Sequence, residues 1–226
     1  MNEGTATIIE RSREIGWVLE PEAKTIFSLA GLPVPRFTWA NSAADAMTAA
    51  GNIGYPVAVK VVSPQIVHKS DVGGVAVNVA NDDDLEATFS RFSRMDGFSG
   101  VLVEEMIRPG VELIVGATVD FQFGPVVLVG IGGTSVEIYK DTAIRLAPLK
   151  EKDVHSMIAE LKAHRLLTGY RGTGPVDMEG LLHILTRFSE LVMEMEEVIE
   201  SIDLNPLICT ADGCVIADAR IMLVRA

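Results

Sequence analysis

The sequence predicts an α+β fold, that is, a mixed α/β arrangement with antiparallel hairpins. Short β-branched runs such as VAVKVV, residues 57–62, are interspersed with longer segments of helical periodicity. These segments do not follow the regular strand–helix–strand alternation that a parallel sheet requires. Near the C-terminus, residues 207–210 and 215–218 flank an Ala-Asp-Gly turn, a pattern typical of a β-hairpin.

The first predicted helix, Glu20–Leu29, has clear signals at both ends. Pro21 suits its first turn, acidic residues lie at its N-terminal end, and Gly31 followed by Pro33 terminates it. Ser42 is predicted to cap a helix that runs through Ala50, with Asp45 at its N3 position. Further helices are predicted at residues 82–95, 151–164 and 176–196. Further strands are predicted at residues 35–40, 55–62, 75–79, 101–106, 112–119, 125–129 and 198–202, besides the C-terminal hairpin.

Length and composition indicate a folded protein. The chain has 226 residues, of which 48% are hydrophobic and 22% charged, enough for one large domain or two small lobes. No segment is long and apolar enough to span a bilayer, and the first residues do not form a signal peptide. Cys209 and Cys214 match no metal-binding spacing and are expected to be small core residues of the hairpin. The expected location is a reducing cytoplasm.

The net charge of −12 argues against a nucleic acid or an anionic membrane as the partner. If the ligand is a nucleotide, its phosphate site must be built locally. A few Lys, Arg and main-chain N–H groups would supply it, together with metal ions held by the excess carboxylates.

Lys60 stands in the middle of the predicted strand VAVKVV. A lysine flanked by valines on both sides is costly to bury unless its ammonium group meets an anion. The alternative is an edge strand from which the lysine side chain reaches water. This position alone leaves both interpretations open.

The loop SPQIVHKSDVGGV, residues 63–75, follows that strand and contains His68. Its adjacent glycines, Gly73 and Gly74, permit a close approach to a ligand. A histidine in such a loop can attack a phosphoryl group, and a carboxylate such as Asp71 on its second ring nitrogen would fix the tautomer. The alternative is a solvated loop histidine.

The segment VLVEEM, residues 101–106, precedes another strand, VELIVGA. Free main-chain groups at a strand edge can hydrogen-bond an adenine ring, and a carboxylate just beyond them can hold the ribose hydroxyls. The alternative is two ordinary strands in which Glu104 and Glu105 are solvated.

Asp203, Asn205 and Asp218 lie on elements that the hairpin brings together. Hard oxygen ligands on neighbouring strands can converge on Mg²⁺, which keeps water and phosphates as its other ligands. Asn-Pro is also a turn initiator, but the apolar neighbours of Asp218 predict a buried carboxylate that needs a partner. A Walker A motif is absent, and GIGGTS, residues 130–135, lacks the glycine spacing of a dinucleotide fingerprint.

Together these features resemble the ATP-grasp subunit, or β subunit, of NDP-forming acyl-CoA synthetases, such as the ADP-forming acetate–CoA ligases. The sequence is also similar to the related succinyl-CoA synthetase β subunit. The resemblance extends over residues 20–223 and is carried by EPEAKTIFSLAGLPVP, GYPVAVKVVSPQIVHKSDVGGV, GVLVEEMIRPGVELIVGA, VGIGGTSVEIYKD, IDLNPL and IADAR. It implies an ATP-grasp fold whose two lobes clasp the nucleotide. Residues 35–103 would form the first lobe and residues 104–226 the second, with the helices of residues 1–34 packed on the C-terminal lobe.

The resemblance also implies a role for each motif. Lys60 would contact the nucleotide phosphates, and His68 would be the catalytic histidine that is phosphorylated transiently. The other implied residues are the adenine hinge Glu104, Glu105 and Met106, the ribose residue Glu112, the Mg²⁺ ligands Asn205 and Asp218, the phosphate-loop glycines Gly73, Gly74, Gly132 and Gly133, and, close by, Asp141 and Arg145.

The implied reaction is acyl-CoA + phosphate + ADP = carboxylate + CoA + ATP, which makes the enzyme an acid–thiol ligase. This chain would carry only the nucleotide half, with Mg²⁺ and ATP or ADP. A CoA-binding α subunit, or a fused domain, would supply the rest. Phosphoryl transfer depends mainly on positioning and charge neutralisation, which a lysine, a metal ion and main-chain N–H groups provide.

Two other functions fit parts of the pattern. An ATP-grasp carboxylate–amine ligase would need the nucleotide residues but no phosphohistidine. A nucleotide-sensing module without catalysis would bind ATP and never become phosphorylated.

Overall fold

The structure is a computed structural model that describes residues 1–133, 141–170 and 174–224. The chain divides into two compact units. Unit 1 comprises Met1–Val18, Glu22–Val34 and Arg108–Ala226. Unit 2 comprises Leu19–Pro21 and Pro35–Ile107.

Helices and strands are interspersed along the described residues. The helices are α1 (Glu3–Ser12), α2 (Glu20–Leu29), α3 (Ala43–Ile53), α4 (Asp82–Phe92), α5 (Glu151–Glu160), α6 (Arg165–Thr168) and α7 (Met178–Met195). The strands are β1 (Trp17–Val18), β2 (Phe37–Ala40), β3 (Val57–Val62), β4 (Val75–Val79), β5 (Gly100–Glu105), β6 (Val111–Asp120), β7 (Gly124–Ile131), β8 (Thr142–Leu146), β9 (Ile199–Thr210), β10 (Gly213–Ile216) and β11 (Ala219–Leu223).

Unit 2 is a four-stranded antiparallel sheet in the order β2-β5-β3-β4, with α3 and α4 packed on one face. Side chains alternate between the two faces of a strand. Val57, Val59 and Val61 therefore enter the core beneath the helices, together with Leu85 and Phe92. The intervening residues of β3 lie on the opposite face.

The helix starts in unit 2 follow the predicted capping chemistry. Ser42 caps α3 by accepting a hydrogen bond from the Asp45 amide at 3.1 Å, as the sequence predicted. Asn81 caps α4 in the same way, through the Asp84 amide. These caps satisfy amides that the first turn of a helix leaves unpaired.

Unit 1 contains a seven-stranded antiparallel sheet in the order β1-β11-β9-β6-β7-β8, with β10 also paired to β9. Helix α7 buries an apolar stripe at three- and four-residue spacing against this sheet. The stripe consists of Leu181, Ile184, Leu185, Phe188, Leu191, Val192 and Met195. No helix in the described segments is long and apolar enough to cross a membrane.

The structure corrects several predicted boundaries. The two strands predicted at residues 198–202 and 207–210 form one strand, β9, and the predicted helix 151–164 ends at Glu160. Strands β1, β8 and β11 and helices α1 and α6 were not predicted. Cys209 and Cys214 are buried in the core of the hairpin, as expected, but they are directly opposite each other on β9 and β10 and form a disulfide that was not predicted.

Replacing Phe188 by Ala should lower the free energy of unfolding by about 3–5 kcal/mol, because it opens a cavity in the unit 1 core. Phe121→Ala is the matched control, since that ring is 91% exposed at the β6–β7 turn and should contribute little. Urea denaturation followed by circular dichroism measures both. Equal losses in the two variants would contradict the placement of α7.

Candidate functional site

Lys60 lies on β3, which is flanked by β4 and β5 and is therefore not an edge strand. Ala58 is directly opposite Glu104 on β5, and Lys60 is opposite Leu102. Lys60 and Glu104 are thus diagonal neighbours on the sheet face away from the helices. This register brings a cation and an anion together.

The Lys60 ammonium group is held by two carboxylates. Its Nζ lies 2.6 Å from Glu20 Oε1 and 3.0 Å from Glu104 Oε2. The other oxygen of Glu20, Oε2, lies 2.8 Å from Nζ of Lys69. All four side chains are at least nine-tenths buried. We call these four residues the charge cluster; its two cations and two anions balance.

The charge cluster decides between the two interpretations of Lys60. The side chain does not reach water from an edge strand, so that alternative is wrong. The ammonium group meets anions, as predicted for a buried lysine, and these anions belong to the protein. Solvated Glu104 is likewise wrong, because its carboxylate is buried against Lys60.

His68 lies in the connection between β3 and β4, residues 63–74, which we call the His68 loop. Its side chain is exposed, whereas the next residue, Lys69, is buried in the charge cluster. Gly74 closes the loop: its amide donates to the Lys69 carbonyl at 2.7 Å, and its carbonyl accepts from the Val61 amide at 2.8 Å. A Cβ at Gly74 would lie 2.6 Å from the Val61 side chain, so only glycine fits there. Gly73 is exposed at the same end.

Glu105 ends β5 and is engaged by Arg36. The Glu105 amide donates to the Arg36 carbonyl at 2.9 Å, and its two carboxylate oxygens accept from the guanidinium group at 3.1 and 3.2 Å. This hydrogen-bonded pairing holds the pKa of the Glu105 carboxyl below its ordinary value. Glu105 is thus partly solvent-exposed, as the alternative interpretation held, and also paired with Arg36. Half-buried Met106 follows immediately after the strand.

Asn205 and Asp218 meet in unit 1 because β9 contains a bulge. Leu113 is opposite Leu207 and Val115 is opposite Leu204, so one residue of β6 faces two residues of β9. The pairing partner of β9 changes at this point: residues 199–204 pair with β11, and residues 207–210 pair with β10. The Asn205 amide donates to the Asp218 carbonyl there at 3.2 Å.

Asp218 lies in the connection between β10 and β11. The sequence had predicted a buried carboxylate within a hairpin strand; the strand ends at Ile216, and Asp218 is half-buried. Asp218 Oδ1 accepts from the Ala219 amide at 2.7 Å. The preceding carbonyl, of Ala217, accepts from the ammonium group of fully buried Lys24 at 2.9 Å. Helix α2 thus fixes the segment that carries Asp218.

Asp203 belongs to an ion pair. Its Oδ2 lies 2.7 Å from Arg220 Nη2, across the β9–β11 ladder. Within the described segments, no group of three or more His, Cys, Asp or Glu side chains is arranged to hold a metal ion. Asn205 and Asp218 are joined by the main-chain hydrogen bond described above.

Gly132 and Glu112 are brought together at the end of the β6–β7 ladder. The Gly132 amide donates to the Glu112 carbonyl at 2.6 Å, and a Cβ on Gly132 would lie 2.9 Å from the same main chain. The Glu112 side chain is exposed, as is Gly133. Thr134 and Ser135, the remaining residues of the predicted glycine-rich segment, lie outside the described residues.

Asp141 and Arg145 stabilise local structure. The Asp141 carboxylate accepts from the amides of Lys162 and Ala163 at 2.7 and 2.9 Å, at the end of α5. Arg145 Nη2 lies 2.8 Å from Glu160. Neither arrangement indicates chemistry beyond this anchoring.

Glu20, Lys69 and Lys24 are three buried charged residues that the sequence analysis did not select. An acidic residue at a helix start predicts only a favourable interaction with the helix dipole. The signal that could have found Lys24 is its place among Ala23, Ile26 and Phe27, on the apolar face of α2.

Comparison with known proteins gives one consistent result. A family model described as an ATP-grasp domain matches residues 10–223. The β subunit of ADP-forming acetate–CoA ligase I from Pyrococcus furiosus is 43% identical over 224 residues, 96% of each chain. The ADP-forming 4-hydroxybutyrate–CoA ligase from Nitrosopumilus maritimus is 41% identical over 91% of this chain, which spans 31% of that longer protein.

A solved structure extends the comparison to the fold. It is the dinucleotide-forming acetyl-coenzyme A synthetase 1 of Ca. Korarchaeum cryptofilum, in complex with coenzyme A and Mg-AMPPCP, whose phosphohistidine segment points towards the nucleotide-binding site. Its TM-score is 0.87 at 41% identity, covering 97% of this chain and all of that one.

Arg36→Gln should raise the pKa of the Glu105 carboxyl back towards its ordinary value of 4.5, because the guanidinium hydrogen bonds lower it in the native protein. The stability from this pair is therefore present above pH 4.5 and is lost as the pH falls through the lower, folded-state pKa. A carbon-detected NMR titration of the glutamate carboxyls measures the shift.

Arg94→Gln, at another exposed arginine of unit 2, is the control and should leave the Glu105 pKa low. An unchanged Glu105 pKa in Arg36→Gln would mean that the Arg36–Glu105 pair does not persist in solution.

Proposed function

The chain belongs to the ATP-grasp family of NDP-forming acyl-CoA synthetases, and from this premise we propose that it carries phosphate between ADP or ATP and His68. It supplies the nucleotide half of an acid–thiol ligase, whose whole reaction is acyl-CoA + phosphate + ADP = carboxylate + CoA + ATP. The observation that carries the proposal is the charge cluster. Through Glu20 it links the strand lysine, Lys60, to buried Lys69, which follows exposed His68 directly in the chain.

The charge cluster supports phosphate binding at Lys60. A phosphate group can replace a carboxylate as the partner of an ammonium group, since both are anions that accept charge-assisted hydrogen bonds. The strand holds the ammonium group in place before the nucleotide arrives, so little conformational entropy is lost on binding. Catalysis of phosphoryl transfer depends on such positioning.

The transfer step uses the exposed imidazole. An unprotonated ring nitrogen of His68 forms a bond to the γ-phosphorus of ATP. The bond from that phosphorus to the β,γ-bridging oxygen breaks, and ADP leaves with the electron pair. In the reverse direction the terminal oxygen of ADP attacks the phosphohistidine, which yields ATP and the neutral imidazole.

Asn205 and Asp218 fit a Mg²⁺ ion that accompanies the nucleotide. Both provide hard oxygen atoms, and the bulge in β9 brings their main chains into direct contact. Mg²⁺ takes few protein ligands and keeps water and phosphate oxygens as the others, which suits a two-residue donor set. When bound, the ion supplies positive charge to the phosphates. Lys24 and the Ala219 amide orient the segment that carries Asp218.

The remaining predicted residues are assigned to the nucleoside. Because the amide and the carboxylate of Glu105 are engaged by Arg36, we assign the adenine contact to the main chain at Met106. The buried carboxylate of Glu104 is paired with Lys60, so its predicted place in the adenine hinge does not use that side chain. We assign the ribose hydroxyls to exposed Glu112, with Gly132 and Gly133 beside it as a phosphate loop, alongside Gly73 and Gly74.

The partner is a CoA-binding α subunit, which would hold the acyl group and the first phosphohistidine. Support comes from the acetate–CoA ligase relative, which is named as a β subunit and is matched over almost its whole length. A location in the cytoplasm accords with these substrates.

Incubation with γ-labelled ATP and Mg²⁺ should attach an acid-labile, base-stable label to the protein, because a phosphohistidine forms. His68→Asn should abolish this label and retain nucleotide affinity. His183→Asn is the control, because His183 is an exposed histidine on α7 that should not matter. Label and full turnover persisting in His68→Asn would favour the carboxylate–amine ligase. Nucleotide binding without label, even with the α subunit present, would favour a sensing module.

Asp218→Asn should weaken binding of Mg-ATP by about 1.5–3 kcal/mol, the scale of a charge-assisted interaction, because the ion loses an anionic ligand. Affinity for ADP without Mg²⁺ should change little. Isothermal titration calorimetry measures both. Asp212→Asn is the matched control, since that carboxylate is exposed in the turn between β9 and β10. Equal Mg-ATP affinity in the two variants would show that Asp218 is not a metal ligand.

A further inference from the structure

We propose that Glu20 is a positioning residue for phosphoryl transfer: it anchors the His68 loop to the nucleotide lysine. The proposal rests on the function given above for His68 and Lys60. It adds a residue that contacts neither the nucleotide nor the reacting atoms. Glu20 acts through two lysines, one on each of its carboxylate oxygens.

The geometry of the Glu20 carboxylate carries this inference. Oε1 lies 2.6 Å from Lys60 Nζ, and Oε2 lies 2.8 Å from Lys69 Nζ. One rigid group of three atoms thus fixes the separation of the two ammonium groups. Lys60 is held in place by the pairing of β3 with β4 and β5. Because the Glu20 carboxylate contacts both lysines, it fixes the position of Lys69 relative to the sheet.

Lys69 is the residue through which the anchor reaches the histidine. It follows His68 directly in the chain, and its carbonyl accepts the Gly74 amide at 2.7 Å. Its side chain is fixed by Glu20 and its main chain by Gly74, so the Lys69 peptide is held from two sides. The adjacent His68 side chain stays exposed on a fixed main chain. A displacement of about 1 Å at a reacting group can cost about 100-fold in rate, which makes such anchoring significant.

Charge balance predicts opposite effects on binding and on transfer. The Glu20 carboxylate offsets part of the positive charge of Lys60, so removing its charge strengthens the attraction of Lys60 for the nucleotide phosphates. Removing it also removes the ion pair between Glu20 Oε2 and Lys69, so the His68 loop loses this anchor. A variant that is partly misfolded would lose nucleotide binding and phosphoryl transfer together.

The test compares Glu20→Gln with the double variant Glu20→Gln/Lys69→Gln. The double variant leaves Lys60 with Glu104, one cation with one anion, so it avoids an uncompensated buried charge. Glu22→Gln, a change of charge two residues further along α2, is the control. Each variant is measured for Mg-ATP affinity by calorimetry and for the rate of histidine labelling from γ-labelled ATP.

In both Glu20 variants the labelling rate should fall about 10- to 100-fold, whereas Mg-ATP affinity should not weaken. The control should match the wild type. Wild-type labelling in the double variant overturns the proposal, as does a loss of labelling matched by an equal loss of affinity.

Hydrogen exchange separates failure of this inference from failure of the proposed function. The Gly74 amide should exchange faster in the Glu20 variants, because its acceptor, the Lys69 carbonyl, is no longer held in place. If the wild type takes no label, the phosphohistidine function fails, and exchange at Gly74 then decides whether Glu20 anchors the loop. An unchanged exchange rate of the Gly74 amide would overturn the proposal that Glu20 anchors the His68 loop.

Discussion

A buried ammonium group must meet an anion, and unit 2 is organised around this requirement at Lys60. The sheet places Lys60 on a strand with neighbours on both sides, where water cannot solvate it fully. The anions come from distant parts of the sequence, Glu104 on β5 and Glu20 on α2. Desolvated charges are stabilised only when their geometry is well defined, so the cluster fixes the position of each contributing segment. Lys69 and the His68 loop are held by the same chain of ion pairs.

Most of the architecture could be predicted because it follows local rules. Alternating valines define β3, Ser42 caps α3, and the apolar stripe of α7 has helical spacing. The family match places the ATP-grasp fold on these elements. Strand β8 was missed because it is only five residues long and exposes Ile144 and Leu146, so its apolar residues do not mark a buried face. The disulfide was missed because pairing depends on cross-strand register, which spacing alone does not determine.

The candidate site could be predicted only in part, for a physical reason. Asn205, Asp218, Lys60 and Glu104 stand out because polar residues interrupt apolar strands. The residue types do not show which carboxylate pairs with which lysine. Glu104 is predicted to belong to the adenine hinge, and the sequence did not show that register places it diagonally beside Lys60, where its carboxylate forms an ion pair. Glu20 could not be selected from the sequence, because its partners Lys60 and Lys69 are 40 and 49 residues away along the chain.

The local arrangement of charges explains how a protein with a negative net charge can bind anionic phosphates. The formal charge of −12 is a property of the whole chain, whereas a phosphate responds to the groups within a few ångströms. In unit 2, the buried lysines are matched one to one by carboxylates, so the site is neutral before any ligand binds. The long-range field of the protein disfavours phosphate, and fixed, desolvated lysines can still favour it at short range.

The bulge in β9 sets a limit on how this sequence can vary in evolution. One residue of β6 faces both Asn205 and Pro206, so the strand changes face between Leu204 and Leu207 while both leucines stay in the core. Loss of a single residue there would restore a regular ladder and turn one half of β9 inside out. Substitutions at these positions can be accepted one at a time, but a change of length cannot. If Asn205 and Asp218 hold the metal ion as proposed, relatives with a different metal preference should differ in the side chains at positions 205 and 218. They should keep the same number of residues between Leu204 and Leu207.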